Sequence, residues 1–265
     1  MMEIMGVVNV TPDSFSDGGE FFTAETAVAH GHDLVGLGAT ILDVGGESTR
    51  PGSEPVGAEE EIRRALPALA QLAESGYRIS VDTYRAAVAD RAIAAGAAIV
   101  NDVSGGLADP DILRVAAAAD AEFIIGHWRG PSSDMYARAS YDRIGAEVAA
   151  ELARRVDAAL RAGIDAARII LDPGIGFAKS GEQNWAMLRE LDAVTALGFR
   201  VLIGTSRKRF LDRALGDGAT RDRRDLATAV TSVLARQAGA WGVRVHDVTA
   251  TRDALAVLDA WEGEK

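Results

Sequence analysis

Residues 78–102 read RISVDTYRAAVADRAIAAGAAIVND, and their pattern of polar and apolar residues defines one structural unit. A short apolar run, Arg78–Val81, stops at Asp82, and an alanine-rich stretch, Arg85–Ala95, follows it. A second apolar run, Ala98–Asn101, completes the segment. This order of strand, helix and strand is typical of a β-α-β unit with parallel strands.

The same alternation recurs along the whole chain. The predicted strands are Ile4–Asn9, Thr40–Val44, Arg78–Val81, Ala98–Asn101, Glu122–Ile125, Arg168–Leu171, Arg200–Ile203 and Gly242–Val245. The predicted helices are Thr23–Leu37, Ala58–Glu74, Arg85–Ala95, Asp109–Ala119, Tyr141–Ala162, Gly181–Leu197, Asp222–Ala238 and Thr251–Trp261. Each strand is short and apolar, as expected of parallel strands covered on both faces.

Repeated β-α units of this kind predict the α/β class, as a single (β/α)8 TIM barrel spanning residues 1–265. Almost every predicted strand ends at a polar or ionisable side chain, for example Asn9, Asp82, Asn101 or Asp172. The carboxyl ends of parallel strands share one rim of a barrel, where the active sites of this fold lie. The sequence therefore predicts a site at the C-terminal rim of the strands.

Composition limits the classes of function. The chain has 265 residues and is 48% hydrophobic, and its net charge of −11 gives no general attraction for nucleic acid or an anionic membrane. It contains no cysteine, which excludes disulfides, thiolate metal sites and cysteine nucleophiles. The first predicted strand begins at Ile4, which leaves no room for a signal peptide, so we expect a soluble cytoplasmic protein.

Asp82, Asn101 and Asp172 are the most informative rim residues, because each ends an otherwise apolar strand. Buried polar groups without partners are costly, so these side chains need partners of their own. A planar ligand rich in N–H donors, such as an aminopyrimidinone ring, would supply them. Pairing with nearby arginines is the alternative.

Two loops carry candidate anion ligands. Asn9 begins the segment NVTPDSFSDGG, and its carboxamide oxygen could help phosphate oxygens to hold Mg2+, although a turn would use Asn equally well. Thr49 and Arg50, in ESTRPG at residues 47–52, could grip a phosphate, with Pro51 shaping the loop. A solvated polar loop would have the same composition.

Cationic residues cluster after the seventh and eighth strands, a recurrent phosphate region of this fold. Ser206 and Lys208 follow strand seven, and Arg244 and His246 end strand eight on one side of it. A basic helix face would account for part of this charge but poorly for the Arg-x-His pair. Phe177, after strand six, could pack against a planar ligand.

The four histidines show no metal-ligand spacing, which argues against a zinc site. His127 ends strand five and is expected at the rim, in a packing or hydrogen-bonding role. Lys179 is one of only three lysines among the 28 Lys and Arg residues, and it could be structural or paired with a carboxylate. Neither a nucleophile elbow nor a P-loop is present.

Taken together, the motifs resemble those of dihydropteroate synthase, in the same order and over essentially the whole chain. They are NVTPDSFSDGG at 9–19, DVGGESTRPG at 43–52, SVDTYR at 80–85, NDVSGG at 101–106, DPGIGFAK at 172–179, SRK at 206–208 and RVHDV at 244–248. The first two are highly specific, whereas the others would be weak singly.

The resemblance implies a pterin-binding folate enzyme, which condenses 6-hydroxymethyl-7,8-dihydropterin pyrophosphate with p-aminobenzoate. It implies Mg2+ as cofactor, with Asn9 as its protein ligand, only small-molecule partners, no nucleic acid or membrane, and a homodimer. It also implies competition between p-aminobenzoate and sulfonamides.

The resemblance also assigns site residues. Pterin is expected at Asp82, Asn101, Asp172 and Lys208; pyrophosphate at Asn9, Thr49, Arg50, Arg244 and His246; and p-aminobenzoate at Thr49, Pro51, Phe177 and Ser206. Catalytic roles are expected for Asp82, Asp172 and Lys208, with Asp13 and Phe15 on a first loop that closes over the site.

One position departs from the family pattern. Methionine is expected before the histidine of the strand-five motif, but Gly126 is found there. Because this position is expected near the pterin, a smaller residue would loosen the pocket.

Two other functions compete with the synthase. A pterin-dependent methyltransferase would share the barrel and the Asp/Asn/Asp set, but has no evident use for Thr49-Arg50-Pro51, Arg244 or His246. A pterin-binding paralogue without turnover would keep the same residues, and product formation would separate it from the synthase.

Overall fold

Eight parallel strands close into a barrel in the order β1 to β8. The computed structural model describes residues 2–11, 23–48, 53, 55–131 and 136–263. The strands are β1 Glu3–Asn9, β2 Ile41–Gly45, β3 Ile79–Asp82, β4 Ile99–Asp102, β5 Glu122–Gly126, β6 Ile169–Asp172, β7 Arg200–Ile203 and β8 Gly242–Val245. Pairing of β1 with β8, from Glu3 opposite Gly242 to Gly6 opposite Val245, closes the ring. The predicted (β/α)8 class is confirmed.

Helices connect successive strands around the outside of the barrel. They are α1 Ala24–Leu37, α2 Ala58–Glu74, α3 Ala86–Ala94, α4 Asp111–Ala118, α5 Ile144–Arg161, α6 Gly181–Arg189, α7 Asp192–Thr195, α8 Asp212–Leu215, α9 Arg221–Gln237 and α10 Val248–Glu262. Short 3-10 turns at Ala166–Arg168 and Arg209–Leu211 complete the described connections. Within the described residues, no helix is long and apolar enough to cross a membrane.

The barrel has separate inner and outer cores, because side chains alternate across each strand. The inner core is a small cluster of fully buried residues from six strands: Met5, Ile41, Ile99, Ile124, Ile170 and Leu202. The outer core lies between strands and helices and includes Val44, Val100 and Phe123. The inner cluster fills the middle of the barrel, so the rim above it is where polar side chains can gather.

The amino-terminal end of the barrel is closed by an aromatic and ionic cluster. Trp241 packs against the inner core, and the guanidinium groups of Arg78 and Arg200 lie 5.9 and 5.1 Å from its ring centroid. Glu122 accepts hydrogen bonds from both arginines. Burial opposes its charge, but the two arginines outweigh burial and lower the pKa of Glu122. This cluster covers the amino-terminal end of the barrel, whereas the polar strand ends lie at the other.

Three predicted helices differ from those observed by three residues or more, one of them α5, which begins at Ile144 and not at Tyr141, and α8 was not predicted. The predicted helix Gly181–Leu197 is divided into α6 and α7 by a turn at Glu190 and Leu191. After this turn, Val194 of α7 is buried in the core. The last helix begins at Val248 and not at Thr251, because the Asp247 side chain accepts a hydrogen bond from the Ala250 amide at 3.0 Å. This N-cap starts the helix directly after the rim of β8.

Candidate active site

A cavity of about 880 Å³ opens at the carboxyl ends of the strands. Three of the residues that line it come from the ends of strands. Asp82 lies on β3, Asn101 lies on β4, and Asp172 ends β6. Asn101 stands two residues beyond Ile99, and Asp172 stands two residues beyond Ile170. The period of two in a strand therefore brings side chains from distant segments to one rim, as predicted.

Arg244 links two acidic side chains on the floor of the cavity. Its Nε donates to Asp43 Oδ2 at 2.6 Å, and its Nη2 donates to Asp82 Oδ2 at 2.8 Å. Asn101 Nδ2 also donates to Asp43 Oδ2, at 3.1 Å. Burial opposes the charge of Arg244, but Asp43 and Asp82 outweigh burial and raise its pKa. The structure therefore shows Asp82 paired with an arginine, which is the alternative that the sequence left open.

Asp43 was not among the residues predicted for the site. It is fully buried, lies two residues beyond Ile41 of the inner core, and faces Ser80 of β3. Among the described side chains, Asp43 Oδ1 and Ser80 Oγ are buried without a hydrogen-bond partner. An acidic residue at an inward position of an apolar strand was the sequence signal that could have identified Asp43.

Lys208 reaches across the cavity from the loop after β7 to the loop after β6. Its Nζ donates to the carbonyl oxygen of Ile175 and lies 4.8 Å from the centroid of the Phe177 ring. A Cβ on Gly176 would stand 2.9 Å from Lys208 Cδ, so glycine leaves room for this close approach. Burial lowers the pKa of Lys208 to about 8, and the nearby Asp172 carboxylate opposes that shift.

The ends of β7 and β8 are joined by a serine–histidine contact. Ser206 Oγ lies 2.9 Å from His246 Nδ1 and accepts a hydrogen bond from the His246 amide at 3.1 Å. Both residues line the cavity. Arg207, the next residue, has a left-handed backbone with φ of 56° and is paired with Asp225 of α9. This ion pair fixes the Arg207 guanidinium on α9, and Ser206, Arg207 and Lys208 all line the cavity.

The first two loops are described only in part. Asn9, Thr11, Glu47 and Ser48 line the cavity beside β1 and β2. The predicted residues Asp13, Phe15, Thr49, Arg50 and Pro51 lie outside the described residues.

Glu47 is a buried anchor that was not predicted as a site residue. Its Oε2 accepts from the Val56 amide at 2.7 Å and pairs with Arg85 Nη1 at 2.8 Å, and its Oε1 accepts from the Tyr84 hydroxyl. Arg85 also pairs with Glu61 of α2. These contacts join the end of β2 to the segment before α2 and to the loop after β3.

Gly126 does not leave the void that its small size predicts. A Cβ at this position would stand 2.5 Å from the carbonyl oxygen of Val103 and 2.6 Å from its Cα. The backbone of the loop after β4 therefore fills the space, and Val103 itself lines the cavity. The expected loosening of the pocket is wrong for this reason. His127, the next residue, is buried rather than placed in the cavity lining.

The comparisons with known proteins agree with this geometry. A family model described as pterin binding enzyme matches residues 5–246. Dihydropteroate synthase of Mycobacterium leprae (strain TN) is 49% identical over 265 residues, covering 98% of this chain and 93% of the relative.

Solved structures give the same result. Xanthomonas albilineans dihydropteroate synthase with 4-aminobenzoic acid has a TM-score of 0.91 and 43% identity, covering 100% of this chain and 94% of that one. Dihydropteroate synthase from Xanthomonas albilineans in complex with 7,8-dihydropteroate has a TM-score of 0.87 and 41% identity, covering 100% and 95%. The chain therefore belongs to the dihydropteroate synthase family of pterin-binding enzymes.

Proposed function

We propose that this protein condenses 6-hydroxymethyl-7,8-dihydropterin pyrophosphate with p-aminobenzoate to form 7,8-dihydropteroate and pyrophosphate. The observation that carries the proposal is one cavity that contains both an acidic, amide-bearing floor and an aromatic and cationic wall. Membership of the family supports the choice of substrates, since two solved relatives hold 4-aminobenzoic acid and 7,8-dihydropteroate.

The pterin ring would lie on the floor of the cavity. Asp82, Asn101 and Asp172 present oxygen acceptors and an amide from three different strands, which suits a ring rich in N–H donors. Lys208 Nζ donates one hydrogen bond to the Ile175 carbonyl, and its remaining N–H donors would bind the ring from the loop after β7. The Arg244 bond to Asp82 holds that carboxylate in place while leaving its second oxygen atom to the ligand.

Pyrophosphate would lie towards β1 and β8, near Asn9, Arg244 and His246, which all line the cavity. Thr49 and Arg50 join this set only through the family resemblance. On the floor, the three carboxyl groups of Asp43, Asp82 and Asp172 lie near Arg244 and Lys208, and further cations line the cavity at Lys179, Arg207, Arg209, Arg221 and Arg224. A cation bound together with the pyrophosphate would reduce its repulsion from the three carboxyl groups.

Mg2+ fits that role. A hard oxygen ligand such as the Asn9 carboxamide suits this ion, which takes its other ligands from phosphate oxygens and water. Among the described residues, no group of three His, Cys, Asp or Glu side chains is placed to hold a metal, so binding would depend on the substrate. When bound, the ion would neutralise charge on the leaving group.

The reaction would proceed by loss of pyrophosphate before attack. The C–O bond of the pterin methylene breaks with its electron pair passing to pyrophosphate, and a cation conjugated to the dihydropterin remains. The carboxylates of Asp82 and Asp172, held against the ring, would stabilise that cation. The neutral arylamine then forms the N–C bond and releases a proton, so no covalent enzyme intermediate is required.

p-Aminobenzoate would bind beside Phe177 and Ser206, where the aromatic ring and the hydroxyl line the outer cavity. Thr49 and Pro51 belong to this set by resemblance only. Sulfonamides, which mimic the arylamine, should compete for the same site. Inhibition that does not depend on the concentration of p-aminobenzoate would count against this site.

We also propose that the protein is cytoplasmic and that it forms a homodimer. Leu226, Val230 and Leu234 on α9 are spaced by four residues, so they form one exposed apolar stripe. Val257 and Trp261 on the neighbouring α10 are also exposed. An exposed apolar face of this kind is typical of a protein interface.

A coupled assay on purified protein tests the proposed reaction. The mixture contains the dihydropterin pyrophosphate, p-aminobenzoate and Mg2+, and dihydropteroate is followed by mass together with released pyrophosphate. Equal amounts of both products, lost with EDTA and restored by Mg2+, are expected. Pterin binding by calorimetry without product would instead identify a binding paralogue, and methyl transfer from a methylated pterin would identify a methyltransferase.

A further inference from the structure

Lys179 is a fully buried cation that the proposed reaction does not use. Its side chain is 1% exposed, and its Nζ lies within hydrogen-bond distance of three acceptors. These are the carbonyl oxygens of Gly174 at 3.1 Å and Phe177 at 3.2 Å, and His127 Nδ1 at 3.0 Å. An ammonium group has three donors, so this set satisfies all of them.

The contact with His127 fixes the state of its imidazole. Burial lowers the pKa of Lys179 to about 7. In its protonated form the ammonium can only donate, so Nδ1 accepts and the ring proton is on Nε2, which lies 2.9 Å from Glu151 Oε2. Burial and the neighbouring Lys179 charge lower the pKa of His127 to about 4, which agrees with a neutral ring. Glu151 also pairs with Arg129 at 2.6 Å, so the chain of contacts ends on α5 and the loop after β5.

The turn held by Lys179 carries backbone strain. Ala178 has a φ of 48°, in the left-handed region that residues with a Cβ rarely adopt. The Tyr141 hydroxyl donates to the Ala178 carbonyl at 3.0 Å. On the other side, Asn184 accepts from the Gly176 amide at 2.6 Å and donates to the Lys179 carbonyl at 3.1 Å. Such a conformation persists only where surrounding contacts fix it.

These contacts surround Phe177, the aromatic residue of the turn. The Lys179 ammonium binds the Phe177 carbonyl directly and the Gly174 carbonyl at the start of the turn. The Phe177 ring faces the cavity, where it lies against Lys208. The position of the ring therefore depends on a buried lysine in the cavity wall.

We propose that Lys179 is a positioning residue for the arylamine: by binding two carbonyls of the turn 174–178, it holds the Phe177 ring where p-aminobenzoate packs. This inference rests on the proposed function, which places the arylamine beside Phe177. Tyr141 acts in the same way through Ala178. In the proposed pterin set, Asp82 and Asn101 lie on other strands, whereas Asp172 and Lys208 contact the turn at Gly174 and Ile175.

The test compares steady-state constants for the two substrates in Lys179→Met, which keeps the length of the side chain but removes its donors. The KM for p-aminobenzoate should rise about tenfold, and the inhibition constant of a sulfonamide should rise with it. The KM for the pterin substrate should rise by less than about threefold, because Asp82 and Asn101 are on β3 and β4 and only Asp172 and Lys208 contact the turn.

Tyr141→Phe gives a milder second variant, since it removes only the bond to Ala178. It should shift the p-aminobenzoate KM in the same direction but less, and it remains informative if Lys179→Met does not fold. Tyr77→Phe is its matched control, because the Tyr77 hydroxyl bonds His32 on the exterior at 2.8 Å. Leu72→Ala, in the buried face of α2, controls for loss of stability alone.

Equal increases in both KM values, or no increase in either, would overturn the positioning role. An increase of the same size in Leu72→Ala would do so as well. Absence of turnover in the wild-type protein is a different result, which rejects the proposed function and not the part played by Lys179. In that case calorimetric binding of p-aminobenzoate or a sulfonamide to wild type and variants replaces the kinetic readout, and unchanged affinity would overturn the inference.

Discussion

Arg244 binds two carboxylates and also lines the cavity, so one side chain supports both the barrel floor and the proposed pyrophosphate site. Its guanidinium presents separate donors in a rigid fork, which lets Nε bind Asp43 while Nη2 binds Asp82. Lysine could not bridge the two in the same way. The residue is therefore structural and, under the proposed function, also a ligand to the substrate.

Arg244→Ala should lower both stability and substrate affinity. Removing one member of a buried pair leaves the other charge uncompensated, so we expect the free energy of unfolding to fall by roughly 3 kcal/mol in urea denaturation. Binding of the pterin pyrophosphate, measured by calorimetry, should fall about tenfold more than binding of the free pterin alcohol.

The control for stability is Arg63→Ala, which removes an exposed arginine paired with Glu60 on the surface of α2. Arg63→Ala should change the free energy of unfolding very little, since exposed ion pairs contribute little to stability. Equal loss of affinity for the pyrophosphate and the alcohol in Arg244→Ala would refute a direct anion contact.

At the level of secondary structure, the geometry of the site depends on hydrogen bonds that connect loops to the ends of strands and helices. Asp247 caps α10 and so fixes the residue before it, His246, at the rim of β8. Ser180 and Gln183 form a capping box at the start of α6, directly after the turn that carries Phe177. Glu47 ties the end of β2 to Val56, before α2, and to Arg85. Each of these hydrogen bonds uses a side chain that is close to the predicted ligands but is not one of them.

Glu47→Gln should loosen the connection between β2 and α2. The amide keeps the shape but loses the charge that binds Arg85 and one of the two acceptor oxygens. Hydrogen bonds to charged groups contribute about 1.5–3 kcal/mol, so a loss of that order in unfolding free energy is expected by chemical denaturation. Glu59→Gln, on the exposed surface of α2, is the matched control and should leave the denaturation midpoint nearly unchanged. Equal midpoints for the two variants would contradict the anchoring role of Glu47.

On the scale of the whole molecule, the two ends of the barrel and its outer surface have different properties. The amino-terminal end is closed by Trp241 and its two arginines, whereas the carboxyl end contains the cavity. On the outside, α9 and α10 present the exposed apolar stripe described above. A charge on this stripe would be buried without a partner in a dimer but solvated in a monomer.

Leu234→Glu should therefore dissociate the proposed homodimer. Sedimentation equilibrium of the wild type should give twice the chain mass of 27.8 kDa, and the variant should give the single-chain mass. Leu107→Glu is the matched control, because Leu107 is also an exposed leucine but lies away from α9, in the loop before α4. A wild-type protein that sediments as a monomer, or a dimer that survives Leu234→Glu, would reject this interface.

The sequence by itself determined the barrel and the rim. Strand and helix periodicity are local properties, and alternation within a strand places Asn101 on the same face as Ile99 without knowledge of any neighbour. The motifs then identified the family. Helix boundaries were less accurate where a single side chain decides them, as Asp247 does for α10.

Only the tertiary structure decided which of these residues bind one another. Arg244 and Asp43 are 201 positions apart, and they meet because β8 closes the barrel against β1, which pairs with β2. The burial of Lys179 in the cavity wall and the filling of the space beside Gly126 by Val103 also depend on how loops pack across the rim. Local patterns determine the direction of a side chain, whereas its partners are set by the closure of the whole barrel.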